Sequence, residues 1–562
     1  MHIIIPMSGI GKRFLDAGYK DPKPLIEVDG RPIIEHVVNL FPGETKFTFI
    51  CNQEHLDTTK MRQELERIAP GSEIVAIVPH QRGPVYAVAQ MFDKIADDEE
   101  VIVNYCDFGT YWDYQEFLMC IRMLDVDGAI PSYRGFHPHM LGSTNYAFIK
   151  DENQWLIQIK EKEPFTNNRT NEFASNGTYY FKKGAYVKKY FQQLMAENIH
   201  LNGEFYASLV YNLLKRDGLQ IFVYEIQHML QWGTPADVQT YVLWSNYFRR
   251  MVLPKEAAIK TVYGNTLNLI PLAGRGQRFV QDGYVLPKPL IQVSGKPMII
   301  QAAEQLPQAN KQAFVCLKEH VQVHQVDQVL KAHYPHARIV ILDEVTEGQA
   351  CSCALGLTKD DAENPLLIGA CDNGIVWDRV KYDILMYDPM VDAVIWTFRN
   401  HPASKLFPYM YGWVKVDKDN NATGVSVKIP ISATPEHDHA IIGTFYFKKA
   451  QYFLEALKQL RAKNVRINGE FYVDSCMGEL INMGLCVKVF EVDFYVGWGT
   501  PNDLKTYEYW QSFFHKCLWH PYRLEHDPCV EQSELASLDA ACYRFKQPVC
   551  VGQLEVCQRV ML

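Results

Sequence analysis

The stretch SGIGKRFLDAGYKDPKPL, from Ser8 to Leu25, returns in altered form as AGRGQRFVQDGYVLPKPL, from Ala273 to Leu290. Each stretch follows a short apolar run, HIIIPM in the first case and LNLIPLA in the second, and precedes a segment that favours a helix. A strand, a glycine turn and a helix in this order are typical of an α/β fold. The pattern therefore predicts the same strand–turn–helix unit at two places in one chain.

The similarity between the two copies extends well beyond this stretch. Between Gly9–Ile34 and Gly274–Ile299, 15 of 26 aligned residues are identical, and further segments repeat at an offset of 264 to 266 residues. A chain of 562 residues is also too long for one hydrophobic core. We therefore predict two tandem α/β domains, each with a mostly parallel sheet covered on both faces. Their bounds are residues 1–248 and 265–515, with a linker at 249–264 and a C-terminal extension at 516–562.

The composition is that of a folded globular protein, with 48% hydrophobic and 22% charged residues. A net charge of −9 provides no basic surface for nucleic acid or an anionic membrane. No apolar run reaches the roughly 18 residues of a membrane span, and the N-terminal run is interpreted as a buried strand, not a signal peptide. We expect neither a nucleic-acid nor a membrane partner, while a homo-oligomer stays open.

The 14 cysteines have no paired C-x-x-C spacing, which favours reduced thiols in a cytoplasmic protein. A zinc site in the C-terminal extension is an alternative, although no metal-ligand spacing supports it. The cysteines concerned are Cys517, Cys529, Cys542, Cys550 and Cys557.

Phosphate binding is the chemistry that the repeated glycine stretch suits. Glycines let the backbone turn tightly towards an anion, and a following helix N-terminus adds partial positive charge. The dinucleotide fingerprint is excluded because the third glycine is missing, and the P-loop because Arg13 follows Gly11-Lys12. Both copies keep G-x-G-x-R-F and a lysine ten residues after that arginine, within P-K-P-L. Ordinary surface charges are the alternative, which retention in two diverged copies disfavours.

G-x-G-x-R followed by P-K-P-L, and then a strand that ends in Asp, resembles the sugar-phosphate nucleotidylyltransferases, or nucleotide-sugar pyrophosphorylases. The resemblance covers about 240 residues of each copy. It implies two Rossmann-like α/β/α nucleotidyltransferase domains and a Mg²⁺-dependent reaction. That reaction joins a nucleoside triphosphate to a sugar 1-phosphate, or to a similar small phosphate, and releases pyrophosphate. The products would be nucleotide-activated precursors for surface polysaccharide synthesis.

The resemblance also implies roles for the shared residues. Two polyanions must meet in this reaction, so cationic positioning dominates the catalysis. Arg13 and Arg278 would hold the triphosphate, Lys23 and Lys288 the reacting phosphates. Asp107 and Asp372, each after an apolar strand, would hold Mg²⁺. The implied nucleotide contacts are Ser8, Gly9, Gly11, Gly83, Ala273, Gly274, Gly276, Gly348 and Gln349.

A second glycine turn, near the nucleotide base in this family, differs between the copies. Copy two reads TEGQACS, whereas copy one reads QRGPVYA, with Pro84 where Gln349 stands. A helix-capping turn is the alternative interpretation. A different base preference is compatible with this difference.

The acceptor side diverges more than the phosphate side. Val427 takes the place of Glu161, and Ile442 that of Asn176. We therefore expect the two copies to use different phosphates. The implied acceptor contacts are Tyr146, Glu161, Lys162, Asn176 and Glu204 in copy one, and Tyr411, Lys428 and Glu470 in copy two.

A second Mg²⁺-binding Asp, found in many family members before a late G-T-P, is absent. Gln231 and Gly497 stand there, so that carboxylate would come from elsewhere, such as Glu225 or Glu491, or from the phosphates and water. The recurring His-Pro pairs, at His137 and His401, are interpreted as turns, with donation to a substrate phosphate as the alternative.

Two other functions stay open. One copy, or both, could be inactive and serve regulation or assembly, although neither has lost its Arg, Lys or Asp. A GT-A-type glycosyltransferase usually carries D-x-D at the strand end, whereas Cys106-Asp107-Phe108 and Cys371-Asp372-Asn373 stand here.

Overall fold

A computed structural model describes residues 1–253 and 263–542 of the chain. The predicted linker and C-terminal extension therefore lie partly outside the described residues, as do Cys550 and Cys557. The chain divides into two compact units. Unit 1 consists of Met1–Asn246, Ser512–His520 and the described residues from Ala541 onward; unit 2 consists of Tyr247–Gln511 and Pro521–Ala540.

Unit 1 is built on a ten-stranded sheet, in the order β11-β9-β10-β13-β8-β12-β6-β1-β4-β5. Its first strand, HIIIPM, is buried along its whole length and lies parallel to β4 and β6. A strand buried on both faces needs a continuous apolar sequence, which explains this run. The strands are β1 (His2–Met7), β2 (Glu27–Val28), β3 (Arg31–Pro32), β4 (Lys46–Asn52), β5 (Glu73–Ile77), β6 (Val101–Asn104), β7 (Phe108–Tyr111), β8 (Gly128–Tyr133), β9 (Ala147–Glu152), β10 (Trp155–Glu161), β11 (Phe173–Ser175), β12 (Thr178–Phe181), β13 (Ile221–Glu225) and β14 (His228–Gln231).

Nine α-helices begin among the described residues of this half of the chain. They are α1 (Lys12–Asp16), α2 (Ile33–Val38), α3 (Gln53–Thr58), α4 (Met61–Ile68), α5 (Pro84–Ala89), α6 (Tyr114–Met123), α7 (Gly184–Ala196), α8 (Ala207–Arg216) and α9 (Pro235–Val252).

Unit 2 repeats the plan with a nine-stranded sheet. Its main path is β19-β18-β15-β20-β25-β22-β26, and the hairpin of β23 and β24 joins it through β25. The strands are β15 (Leu267–Leu272), β16 (Gln292–Val293), β17 (Lys296–Pro297), β18 (Lys311–Leu317), β19 (Arg338–Leu342), β20 (Leu366–Ile368), β21 (Asn373–Val376), β22 (Ala393–Phe398), β23 (Gly412–Val416), β24 (Ala422–Val427), β25 (His439–Phe447), β26 (Val487–Glu491) and β27 (Phe494–Gly497).

The helices of this half start just after β15. They are α10 (Gln277–Gln281), α11 (Met298–Glu304), α12 (Lys318–His324), α13 (Val326–His333), α14 (Gln349–Leu355), α15 (Arg379–Tyr387), α16 (Pro402–Leu406), α17 (Ala450–Lys463), α18 (Val473–Asn482), α19 (Pro501–Lys516) and α20 (Leu535–Cys542).

The predicted α/β class is confirmed, but the sheets are mixed. Parallel order holds for β5, β4, β1 and β6, whereas β12 is antiparallel to both of its neighbours and β9 is antiparallel to β10. A short turn joins β9 to β10, and strands connected in this way can only pair antiparallel. Apolar runs alone do not reveal that direction.

Among the described residues, no helix combines the length and the apolar character needed to cross a membrane. Within the same residues, no group of three or more His, Cys, Asp and Glu side chains could hold a metal ion. Cys517, Cys529 and Cys542, from the predicted alternative of a zinc site, belong to no such group within these residues, and Cys550 and Cys557 lie outside them.

Candidate active site

The glycine stretch forms a tight turn between the first strand and a one-turn helix in each unit. Gly11 has φ +70° and Gly276 has φ +61°, in the left-handed region that favours glycine. A Cβ at Gly276 would stand 3.0 Å from the Cβ of Lys288, so a glycine here also lets the lysine pass close by. The helices that follow, α1 and α10, have only five residues each. Positive charge at the turn therefore comes from side chains more than from a helix dipole.

A lysine and an aspartate meet beneath this turn. The Lys23 ammonium donates a hydrogen bond to Oδ2 of Asp107 at 2.8 Å, and Lys288 donates likewise to Asp372. Burial opposes the charge of each lysine, but the neighbouring carboxylate and its hydrogen bond outweigh burial and raise the pKa of both. P-K-P-L and the end of an apolar strand are thus brought together in both units.

The conserved arginine of each copy lies at the same turn. Arg13 and Arg278 are exposed. Each arginine is close enough to repel the neighbouring lysine. Its charge partly offsets the rise in the pKa of that ammonium. Within the described ranges, neither guanidinium makes a hydrogen bond or an ion pair with the protein. An exposed cation without a partner beside a glycine turn is suited to an anionic ligand.

The late W-G-T-P segment contacts the aspartate directly. The backbone N–H groups of Trp232 and Trp498 donate to the carbonyls of Asp107 and Asp372, at 2.9 and 2.8 Å. A Cβ at Gly233 would stand 3.2 Å from the Asp107 carboxylate, and one at Gly499 would stand 3.0 Å from that of Asp372. The glycine of this segment therefore leaves the aspartate uncovered.

Asp237 and Asp503 are site residues that the sequence reasoning missed. In each case one residue separates the aspartate from W-G-T-P. Its carboxylate accepts a hydrogen bond from the threonine of that segment, at the start of α9 or α19. Burial, and secondarily the charge of Asp107, raises the pKa of Asp237 to about 6, and burial also raises the pKa of Asp503. The repeated spacing W-G-T-P-x-D is the signal that could have revealed them.

The two glutamates that the sequence offered as a second Mg²⁺ ligand are each paired with an arginine. Glu225 accepts two hydrogen bonds from Arg134, and Glu491 accepts two from Arg399. At the place of the absent aspartate, Gln231 accepts a hydrogen bond from the hydroxyl of Tyr146. This predicted acceptor contact therefore lies beside the W-G-T-P segment.

The second glycine turn is anchored to the N-G-E-F-Y segment. Gly83 has φ +83° and Gly348 has φ +128°. A Cβ at Gly348 would approach the backbone N and O of Phe471 to 2.6 Å, and one at Gly83 would approach those of Phe205 to 2.7 Å. Both glycines cap a helix, α5 or α14, so the helix-capping interpretation holds for the backbone. Gln349 is the first residue of α14 and makes no side-chain hydrogen bond within the described residues.

Hydrogen bonds link two of the predicted acceptor residues of unit 1 through a tyrosine and hold a third against the start of α8. Lys162 donates to the hydroxyl of Tyr206 at 2.8 Å, and that hydroxyl donates to Glu204. Oε2 of Glu161 accepts a hydrogen bond from Ser208 at 2.5 Å. Lys162 and its counterpart Lys428 both have positive φ, +60° and +63°, a backbone strain present in each unit.

Asn176 marks a second difference at the acceptor side. Its Oδ1 accepts from the N–H of Thr178 and so forms the turn that separates β11 from β12. Ile442 allows the single strand β25 at this place. Asn176 is 2% exposed, and its Nδ2 has no hydrogen-bond partner among the described residues.

The recurring histidines are structural in their contacts. His137 is 3% exposed and precedes a short 3-10 helix, and Nδ1 of His401 accepts from the N–H of Ala403 at the start of α16. Burial lowers the pKa of each to about 4. These contacts agree with the turn interpretation.

Comparison with known proteins finds one family model that matches the first part of the chain. Residues 3–166 match the family model of the MobA-like NTP transferase domain, which is less than a third of the 562 residues. No curated protein matches the sequence.

Solved structures that resemble the chain include three nucleotide-related enzymes, each aligned over 43% of this chain. A nucleoside-diphosphate-sugar pyrophosphorylase from Vibrio cholerae RC9 has 22% identity, 99% coverage of its own chain and a TM-score of 0.36. An inositol-1-phosphate CTP transferase from T. maritima has 15% identity, 94% coverage and a TM-score of 0.35. A UDP-glucose pyrophosphorylase from Acinetobacter baumanii has 18% identity, 92% coverage and a TM-score of 0.34. None of these scores reaches 0.5.

Proposed function

We propose that each unit is a nucleotidylyltransferase that joins a nucleoside triphosphate to a sugar 1-phosphate or a similar small phosphate. One observation carries the proposal. In both units, an exposed arginine that has no partner in the described part of the protein stands at a left-handed glycine turn, next to a lysine that is paired with an aspartate. The NTP transferase match over residues 3–166 supports it for unit 1. The products would be nucleotide-activated precursors, of the kind that surface polysaccharide synthesis consumes.

The arginine and the lysine of each unit contact different phosphates of the nucleoside triphosphate. Arg13 or Arg278 binds the β- and γ-phosphates, which leave together as pyrophosphate. Lys23 or Lys288 stabilises the charge that develops around the α-phosphorus. An oxygen of the acceptor phosphate forms the new bond to the α-phosphorus while the bond from α-phosphorus to the bridging oxygen breaks. That attacking oxygen is already ionised, so the step needs no general base.

Carboxylate oxygens at this place suit Mg²⁺. Asp107 with Asp237 would hold the ion in unit 1, and Asp372 with Asp503 in unit 2. Burial is the main cause of the raised pKa of Asp237, and the charge of Asp107 adds to it; a bound cation would favour the ionised form of both carboxylates. When bound, the ion would supply positive charge to phosphoryl oxygens. Asp107 would serve the ion, and Lys23 would contact the reacting phosphates.

The test is pyrophosphate release by the full chain with five nucleoside triphosphates and a panel of phosphates. The panel contains glucose 1-phosphate, myo-inositol 1-phosphate, glycerol 3-phosphate and ribitol 5-phosphate. We expect release for at least one pair, and loss of it in the Asp107→Asn, Asp372→Asn double variant. A glycosyltransferase would instead consume a nucleotide sugar without releasing pyrophosphate. Absence of release for every pair in the wild-type chain would refute the proposal.

A further inference from the structure

Three aligned positions at the acceptor side change together between the two units. Unit 1 has Ala147, Glu161 and Ser208, and unit 2 has Gly412, Val427 and Asp474 in their places. The sequence comparison of single positions shows only that a glutamate is lost. The structure shows where a carboxylate is regained.

In unit 1 the carboxylate comes from a strand. Glu161 ends β10, and its neighbour across the sheet is Ala147, the first residue of β9. Ser208, the second residue of α8, donates a hydrogen bond to Oε2 of Glu161 at 2.5 Å. The strand end and the start of the helix therefore face each other at this point.

In unit 2 the carboxylate comes from the helix instead. Val427 ends β24 and pairs with Gly412, the first residue of β23. Asp474 is the second residue of α18. A Cβ at Gly412 would overlap the Asp474 carboxylate, so the alanine of unit 1 would force the Asp474 side chain to move. The three differences between the units are therefore linked. Unit 2 lacks the glutamate of the strand, has an aspartate on the helix, and has a glycine that leaves room for this aspartate.

The two acids share two electrostatic influences, burial and a nearby lysine. Glu161 is next to Lys162 in unit 1, and the charge of Lys428 acts on Asp474 in unit 2. Burial raises the pKa of both carboxyl groups, and the lysine counteracts it in each case. Asp372, Glu470 and Arg278 also act on Lys428, which places this lysine near the reacting groups. Each unit thus keeps one acid beside the acceptor-side lysine.

The Asp474 carboxylate has spare hydrogen-bonding capacity. Asp474 is partly exposed. Within residues 1–253 and 263–542, no other residue donates a hydrogen bond to its side chain. Its own backbone N–H is the one donor that acts on it within these residues. A half-buried carboxylate with so few donors is a costly feature for stability alone. Hydroxyl groups of a bound ligand would satisfy it.

We propose that Asp474 binds the hydroxyl groups of the acceptor phosphate in unit 2, in the place that Glu161 occupies in unit 1. The inference rests on the proposed function and names a residue that determines which acceptor unit 2 takes. Because the acid projects from the helix and not from the strand, its oxygens approach the acceptor from another side. Unit 2 therefore selects a polyhydroxylated phosphate whose hydroxyl groups are arranged differently from those of the unit 1 acceptor.

The test uses the full chain and the substrate pairs found by pyrophosphate release. The pairs fall into two groups, those whose turnover is lost in Lys288→Ala and those whose turnover is lost in Lys23→Ala. Asp474→Asn should raise the acceptor KM of the pairs that depend on Lys288 by tenfold or more. It should leave their nucleotide KM, and all pairs that depend on Lys23, within about twofold. Glu455→Gln makes the same change from carboxylate to amide at a partly exposed position of the adjacent helix α17, and should leave every pair as in the wild-type chain. The triple variant G412A, V427E and D474S, which installs the unit 1 residues, should shift acceptor preference of unit 2 towards that of unit 1.

The outcomes separate the inference from the function on which it rests. If the wild-type chain turns over and Asp474→Asn leaves acceptor KM unchanged, the inference is overturned and the function stands. If Asp474→Asn changes nucleotide and acceptor KM equally, the residue is structural and the inference is again overturned. If no pair turns over in the wild-type chain, the function fails and the inference fails with it. A thermal unfolding control checks the exchange: G412A should destabilise the chain more in the presence of Asp474 than with D474S.

Discussion

The Lys23 ammonium donates to the Asp107 carboxylate at 2.8 Å, so the two charges on which catalysis would depend neutralise each other in the free protein. Lys288 and Asp372 repeat the relationship in unit 2. Each pair joins residues of one unit only. A bound phosphate would pair with the lysine and a bound Mg²⁺ with the aspartate, so both charges would keep a partner.

The first prediction is that the two lysines serve separate activities. Lys23→Ala should abolish turnover of one group of substrate pairs and spare the other, and Lys288→Ala should do the reverse. Removal of a charge used mainly in the transition state costs roughly 10²-fold or more in rate, about 2.7 kcal/mol. Pyrophosphate release across the panel measures it, with exposed Lys458→Ala as the control. A single variant that silences every pair would mean one working site beside an inactive copy.

The second prediction concerns the acids at the proposed metal position. Asp107→Asn should lower the rate of the Lys23-dependent pairs by about 10²-fold or more, because its carboxylate oxygen would be the direct Mg²⁺ ligand in the proposed site. Asp237→Asn should instead raise the Mg²⁺ concentration for half-maximal rate, by about tenfold. Magnesium titrations of the rate separate these effects, with Asp98→Asn, on an exposed loop, as the control. An Asp107→Asn chain that is folded and keeps near-full turnover would refute the metal assignment.

The third prediction tests the second glycine turn. Gly348→Ala should lower the free energy of unfolding by about 1–3 kcal/mol, because φ is +128° and the new Cβ would stand 2.6 Å from the Phe471 backbone. It should also raise the nucleotide KM of the Lys288-dependent pairs. Gly424→Ala is the matched control, since a Cβ there meets nothing within 4 Å. Equal effects of the two substitutions in urea unfolding would contradict the packing described here.

The fourth prediction is that His137 makes the free energy of unfolding fall at acidic pH. Burial lowers its pKa from 6.5 to about 4, so the folded state favours the neutral ring. This contribution is fully present above pH 6.5 and is lost as the pH falls towards 4, up to about 3 kcal/mol. The unfolding free energy of the wild-type chain should therefore fall more steeply over this range than that of His137→Gln. The control, exposed His336→Gln, should follow the wild-type curve; parallel curves for His137→Gln and wild type would contradict the prediction.

The sequence was most informative where function sits on short contiguous motifs. The glycine turn, the arginine, the lysine and the aspartate of each copy could be predicted because both copies keep them at one offset, and the structure brings lysine and aspartate into contact. Asp237 and Asp503 were within reach, since W-G-T-P-x-D occurs twice.

Other features depend on contacts that sequence alone does not show. Asp474 is distant in sequence from Val427, and only the sheet pairing and the start of α18 bring them together. In addition, the residue of unit 1 that aligns with Asp474 is Ser208. A serine does not indicate that the same position in unit 2 carries an acid that replaces Glu161. Strand direction likewise depends on turn length, so the antiparallel part of each sheet did not follow from apolar runs.

The inclusion of Ser512–His520 in unit 1 has a consequence for how the chain is made. On a ribosome, the residues up to Asn246 emerge long before the segment that completes their unit. At roughly 5–20 residues per second, the intervening chain takes about a quarter of a minute to nearly a minute to synthesise. During that time the nascent unit 1 exposes the apolar surface that this segment will cover. Premature termination before Ser512 would thus leave both halves of the product defective, and chaperone dependence during translation should exceed that of a chain with two self-contained domains.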